Sequence, residues 1–230
     1  TQKFSVKTGD SVLNAGTDYE VSYNSNINVG TATVIISGKG NYTGTITRTF
    51  KINAASIANA TVTGISDNTY TGKAQIQSVT VKLGKTALKK DNDYTISYKN
   101  NKNVGTATVT ITGIGNYTGK ITKTFKITKA KQPMTVKAKK PSVKASKLKK
   151  AQTIKKAKAF TIKKAQGTVT FKKVAKGSSK KLTINKKTGA IKIKKGTKKG
   201  TYKIKVKVTA AGNKNYKKGS KTVTVSIKVK

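Results

Sequence analysis

The chain has 230 residues, no His, Cys or Trp, and 50 Lys plus Arg against 6 Asp plus Glu, for a formal net charge of +44. That length allows one to three domains, each able to bury a core of its own. The missing residue types exclude a thiolate nucleophile, a Ser-His triad, an imidazole base, the usual zinc site and a disulfide framework, which leaves binding or scaffolding.

No apolar run approaches the roughly 20 residues that cross a bilayer, and no signal-peptide pattern opens the sequence. Membrane insertion is therefore not expected. The first residue, Thr1, reads as the start of a processed or excised segment. The lack of Cys is compatible with a reducing cytosol or with an exported protein that does without disulfides.

Charge divides the chain. All six acids, Asp10, Asp18, Glu20, Asp67, Asp91 and Asp93, precede residue 94. Residues 1–130 carry 16 basic and 6 acidic side chains, whereas residues 131–230 carry 34 Lys and no acid. A boundary falls near residue 130, and Pro133 suits an extended linker there.

Self-similarity subdivides the first part with a period of 75 residues. Residues 18–55 (DYEVSYNSNINVGTATVIISGKGNYTGTITRTFKINAA) match 93–130 (DYTISYKNNKNVGTATVTITGIGNYTGKITKTFKITKA) at 26 of 38 positions without a gap. Thr1 aligns with Ile76, so the first copy has no counterpart to residues 55–75. A diverged third copy is visible at 200–229. The expected modules are an N-terminally truncated repeat at 1–54, a second at 55–130 and a Lys-rich module at 131–230.

In chain order, the apolar residues recur at period two, the pattern of half-buried strands. In the second repeat Tyr94, Ile96 and Tyr98 face one way. After the NNKNVG turn Ala107, Val109 and Ile111 do the same, with Thr106, Thr108 and Thr110 on the outer face. GKGNYTG and GIGNYTG supply turns, with a Tyr to cover the core edge. The Lys- and Ala-rich 144–159 segment is the nearest thing to a helix. In the last module Tyr202, Ile204, Val206 and Val208 alternate with Lys203, Lys205 and Lys207, and Val223, Val225, Ile227 and Val229 alternate with Thr, Ser and Lys. Short strands punctuated by turns predict an all-β chain of tandem immunoglobulin-like β-sandwich modules.

The tandem unit resembles immunoglobulin-like repeats of large secreted and surface proteins of Gram-positive, especially clostridial, bacteria. The stretch LTINKKTGAIKIKKGTKKGTYKIKVKVTAAGN, 182–213, is similar to bacterial immunoglobulin-like or cadherin-like modules. The resemblance implies an extracellular location, at the cell surface or in the cell wall, in a stalk, an adhesin segment or an appendage to a secreted enzyme. Cadherin-type modules bind calcium through clustered acids. Residues 131–230 have no acid, so calcium binding is not carried over.

Asp91-Asn92-Asp93, with Asp18 and Glu20 near the equivalent place, reads as a polar turn before a strand, because a hard cation needs more oxygen ligands than this cluster shows. Asn41-Tyr42-Thr43, Asn59-Ala60-Thr61 and Asn116-Tyr117-Thr118 match the glycosylation pattern, but two of them are the repeat turn. No catalytic residue, metal ligand or cofactor is expected.

The lysine field carries the functional expectation. Solvated surfaces mix both signs, and an unmixed cationic surface repels itself unless it meets a polyanion. The 49 Lys and single Arg, Arg48, favour diffuse attraction over bidentate recognition, and aromatic platforms for stacking bases are lacking. Specific nucleic-acid binding is thus not expected. The expected contacts are Lys192, Lys194, Lys203, Lys205 and Lys207. The expected partner is an anionic cell-wall polymer such as teichoic acid, or an acidic glycan, and the chain is expected to be non-catalytic. The alternatives are an accessory region of a secreted hydrolase and an adhesin segment with a host ligand.

Overall fold

The computed structural model describes residues 3–230. Thr1, where the alignment of the first repeat begins, lies outside them. The fold is all-β, a succession of β-sandwich modules. Contacts divide the chain into two compact units. One takes the described residues up to Ile65, with Gln77–Lys99 and Thr108–Thr124; the other takes Ser66–Ile76, Asn100–Ala107 and Phe125–Lys230.

In the first unit, the first repeat forms an antiparallel sheet of Tyr19–Asn24, Gly30–Gly38 and Thr45–Ile52. Its register sets Val21 opposite Ile36 and Tyr23 opposite Val34, so one face is apolar. That face meets Val6 and Leu13 from around the small hairpin of Lys7–Thr8 and Ser11–Val12. Tyr23 and Phe50 pack edge to face with centroids 6.4 Å apart, the preferred arrangement for aromatic quadrupoles.

The second repeat repeats the hairpin. Tyr94–Lys99 pairs with Gly105–Gly113, setting Ile96 opposite Ile111 and Tyr98 opposite Val109. The alternation puts Tyr94, Val109 and Ile111 inside and leaves Thr108 and Thr110 half-buried, with Thr106 exposed. A second sheet of Thr86–Ala87, Thr80–Leu83 and Thr61–Thr63 supplies Val81, Val62 and Leu83 to the same core, with Ile57, Leu88 and Ile121. Tyr117 packs against this core, as expected for the turn tyrosine.

Asp93 Oδ2 accepts from the Lys89 backbone N–H at 2.7 Å, and Asp18 Oδ2 accepts from that of Asn14 at 2.8 Å. These acids tie a polar turn to the start of the following strand in both copies.

In the second unit, Ser142–Val143, Gly219–Val229, Gly200–Ala210 and Val169–Val174 make a four-stranded sheet, in that order. Gln152–Ile154, Ile191–Ile193 and Leu182–Ile184 make a three-stranded one, with Ile191–Ile193 in the middle. Ile204, Val206, Val208, Val225 and Ile227 from the first sheet and Ile191, Ile193 and Leu182 from the second share one core, and each is fully buried. Two facing apolar sheets with polar outer faces constitute a sandwich.

The linker is docked through Gln132. Its Nε2 donates to the Gln166 carbonyl and its Oε1 accepts from the Gln166 N–H, both at 2.9 Å. The Lys- and Ala-rich segment departs from the helical expectation. It holds a 3-10 turn at Ala145–Lys149, the strand Gln152–Ile154 and a single helical turn at Lys156–Ala159. Leu148, Ile154 and Ala159 are all buried, and a five- or six-residue spacing between anchors suits no single continuous helix.

Candidate polyanion-binding surface

The Gly200–Ala210 strand fixes the cationic face. Its even positions from Ile204 to Ala210 are buried, so Lys203, Lys205 and Lys207 stand exposed on the outer side. At a rise of about 3.3 Å per residue these alternate side chains are spaced about 6.6 Å along the strand. The cross-strand partners are Ser226, Thr224 and Thr222 on one side and Lys172 opposite Lys207 on the other. Like charges set directly opposite destabilise a sheet unless something screens them.

Lys192 is exposed on Ile191–Ile193, between Thr153 and Thr183, and exposed Lys194 follows that strand. The outer faces of a sandwich's two sheets look in opposite directions. The structure therefore brings together three of the five expected lysines and places Lys192 on the reverse face.

Sequence reasoning missed three further lysines beside Lys207. Lys172, Lys186 and Lys218 surround a surface hollow with Lys207, Thr168, Thr170 and Thr209. Lys172 was readable as the outward neighbour of inward Phe171. Lys186 and Lys218 come from turns, which carry no period-two signal. A second hollow, between Lys139, Lys140, Lys155 and Lys158, includes Thr153 and Ser142. In it Lys139 is already engaged, its Nζ donating to the Ala157 carbonyl at 2.8 Å.

The cationic side chains are not all outward. Lys173 is half-buried, and its Nζ donates to the Ser179 and Leu182 carbonyls, both at 2.7 Å. It closes the loop between Val169–Val174 and Leu182–Ile184 and is unsuited to meeting a ligand.

Among the described residues the ion pairs are Lys39–Glu20 at 2.8 Å and Lys90–Asp91 at 3.6 Å, both in the acid-bearing part of the sequence. The hydrogen bond and charge of Lys39 hold the Glu20 carboxyl below the usual carboxylate range. No Asp or Glu stands in 131–230 to neutralise its lysines. No helix among the described residues is long and apolar enough to cross a membrane.

No family model and no curated protein matches the chain. Among solved structures it is similar to the protocadherin gamma-B7 EC3–6 cis-dimer, at 14% identity and TM-score 0.39, over 89% of this chain and 58% of that one. It is also similar to protocadherin gamma-B2 extracellular cadherin domains 3–6, at 11% identity and TM-score 0.40, over 87% and 56%. Drosophila N-cadherin EC1–4 gives 13% identity and TM-score 0.33, over 87% and 58%. The chain spans a little over half the length of these three structures.

Proposed function

We propose that the chain is a non-catalytic extracellular segment of a bacterial surface protein. In this reading the repeats at 1–54 and 55–130 act as a spacer, and the module at 131–230 binds an anionic cell-wall polymer such as teichoic acid, or an acidic glycan. The observation that supports it most is the outer face of Gly200–Ala210. There Lys203, Lys205 and Lys207 are exposed at regular intervals, and Lys172 sits directly across from Lys207 with no carboxylate partner. A row of like charges on a rigid strand is costly in isolation and favourable against a chain of repeating anions. The flanking Thr and Ser hydroxyls can accept or donate to a polyol or phosphate.

The test is retention of the full chain on Gram-positive walls, with and without teichoic acid, across a salt series. Binding is expected to need the polymer and to fall steeply with salt, as counterion release demands. Exchanging Lys203, Lys205 and Lys207 for Glu is expected to weaken it at least tenfold while leaving the melting transition in place. The same exchange at Lys192 and Lys194 is expected to do less, since Lys192 lies on the reverse face. Salt-insensitive binding, or binding unchanged by the triple exchange, would remove the proposal.

A further inference from the structure

Two hydrogen-bonded joints in the molecule are made from the same residues. In the first unit, Asn116 of the second repeat reaches the loop of the first repeat. Its Oδ1 accepts from the Val29 N–H at 2.8 Å, and its Nδ2 donates to Asn28 Oδ1 at 2.8 Å. In the second unit, Asn215 makes the same pair of bonds to the equivalent residues one period later. Its Oδ1 accepts from the Val104 N–H at 3.1 Å, and its Nδ2 donates to Asn103 Oδ1 at 3.0 Å.

The backbone agrees. Asn116 O accepts from the Ala55 N–H, and Asn215 O accepts from the Ala130 N–H, the two alanines standing one period apart. Ala55 and Ala130 pair in parallel with Tyr117 and Tyr216 respectively. Each joint thus joins an Asn-Tyr pair on one module to an Asn-Val-Gly loop and a linker Ala from the module before it.

The first repeat carries the same Asn-Tyr pair, Asn41 and Tyr42. Among the described residues Asn41 engages nothing, neither through its side-chain amide nor through its carbonyl. A second difference lies beside it. Ile46 is 44% exposed, whereas its counterpart Ile121 is 9% exposed in a core that includes Ile57. Ile57 belongs to the 55–75 stretch for which the first repeat has no counterpart.

We propose that residues 41–46 of the first repeat are a docking surface for a further copy of the repeat, which presents its Asn-Val-Gly loop to Asn41 and its linker to Ile46. The occupant is specified by chemistry. It needs a loop N–H and an Asn amide oxygen in the spacing that Asn116 and Asn215 read, followed by an extended segment with an apolar residue at the Ile57 position. The loops within this chain are already engaged, so the repeat must be an additional one. The third module cannot supply it. Gly200 shares the φ of +145° found at Gly30 and Gly105, but Lys198 and Lys199 precede it in place of Asn and Val.

The period makes the test direct. Because Thr1 aligns with Ile76, a chain in which residues 1–75 are duplicated ahead of Thr1 continues the repeat in register. In the unextended chain, Asn116→Ala is expected to speed exchange of the Val29 amide about tenfold, the loss of one well-made bond, while Asn41→Ala changes no amide beyond its own turn. In the extended chain, Asn41→Ala is expected to speed exchange of the corresponding Val amide in the added copy by a similar factor. If that amide exchanges at the same rate with and without the Asn41→Ala change, or if Asn116→Ala leaves Val29 unaffected, the proposal falls. Ile46→Lys gives an independent reading: it should be neutral in the unextended chain and lower the melting temperature of the extended one. Neutrality in both would overturn the docking surface.

Discussion

Tyr94 illustrates how burial, and after it two neighbouring acids, set the state of one side chain. It is 3% exposed at the start of the second-repeat hairpin. Burial foremost, and then the charges of Asp91 and Asp93, push its hydroxyl above the ordinary value of 10.0. The neutral form is therefore the one the fold prefers, because an anion there would be desolvated and repelled. A pKa raised by folding gives stability that is complete below the unfolded value and is lost as pH rises through the folded one. The second repeat is accordingly expected to weaken above about pH 10. Phenolate absorbance in an alkaline titration should show a late-titrating tyrosine that Tyr94→Phe removes. The inward position of Tyr94 was legible from alternation. The bonds made by Asn116 and Asn215 were not, because they reach across 88 and 112 residues and leave no local pattern.

Among elements, the strands that sequence alternation reveals are those long enough to show a period. Gly200–Ala210 and Gly219–Val229 have 11 residues each, and their inner and outer faces fall as the Val, Ile and Lys pattern predicts. Gln152–Ile154, Leu182–Ile184 and Ile191–Ile193 have three residues each, too few for a period to register. Lys192 and Lys194 are expected on an outward strand face, but the pairing of these short strands into a second sheet was hidden, and with it the fact that Lys192 and Lys203 face opposite ways.

The turn that feeds Ile191–Ile193 is tightly determined. Gly189 has φ +69°, and a Cβ there would lie 2.6 Å from Phe171 Cζ, in the core. Gly177 has φ +81° and open space around it. Both Gly→Ala changes force an L-residue into the left-handed region, but only Gly189→Ala also collides with a packed ring. Gly189→Ala is expected to cost about 2 kcal/mol more than Gly177→Ala, read from urea midpoints at unchanged slope.

For the whole molecule, the charge distribution sets the response to ionic strength. Most small domains lose little or gain little from added salt, because attractive and repulsive pairs offset each other. Here the lysines of 131–230 have no carboxylate among them, so screening over about 10 Å at 0.1 M salt relieves repulsion alone. The transition of the compact unit that holds these lysines is expected to move to higher temperature as NaCl rises from low ionic strength. Each kcal/mol gained shifts it by about 4–8 °C in a domain of this size. Differential scanning calorimetry reads this directly, and a flat or falling response would mean that the lysines already lie too far apart to repel. The charge imbalance behind this expectation is legible in composition alone. Which lysines share a face could be learned only from strand pairing.

The joints have a consequence at the level of the gene. Each repeat carries the two halves of its joint in separate loops, each half both donating and accepting, so unequal crossing-over in steps of 75 codons would lengthen or shorten the protein without creating a mismatched junction. Copy number could then change while every interface between repeats stayed the same. The Lys198 and Lys199 loop marks a module outside that exchange, since a repeat inserted after it would meet the wrong residues.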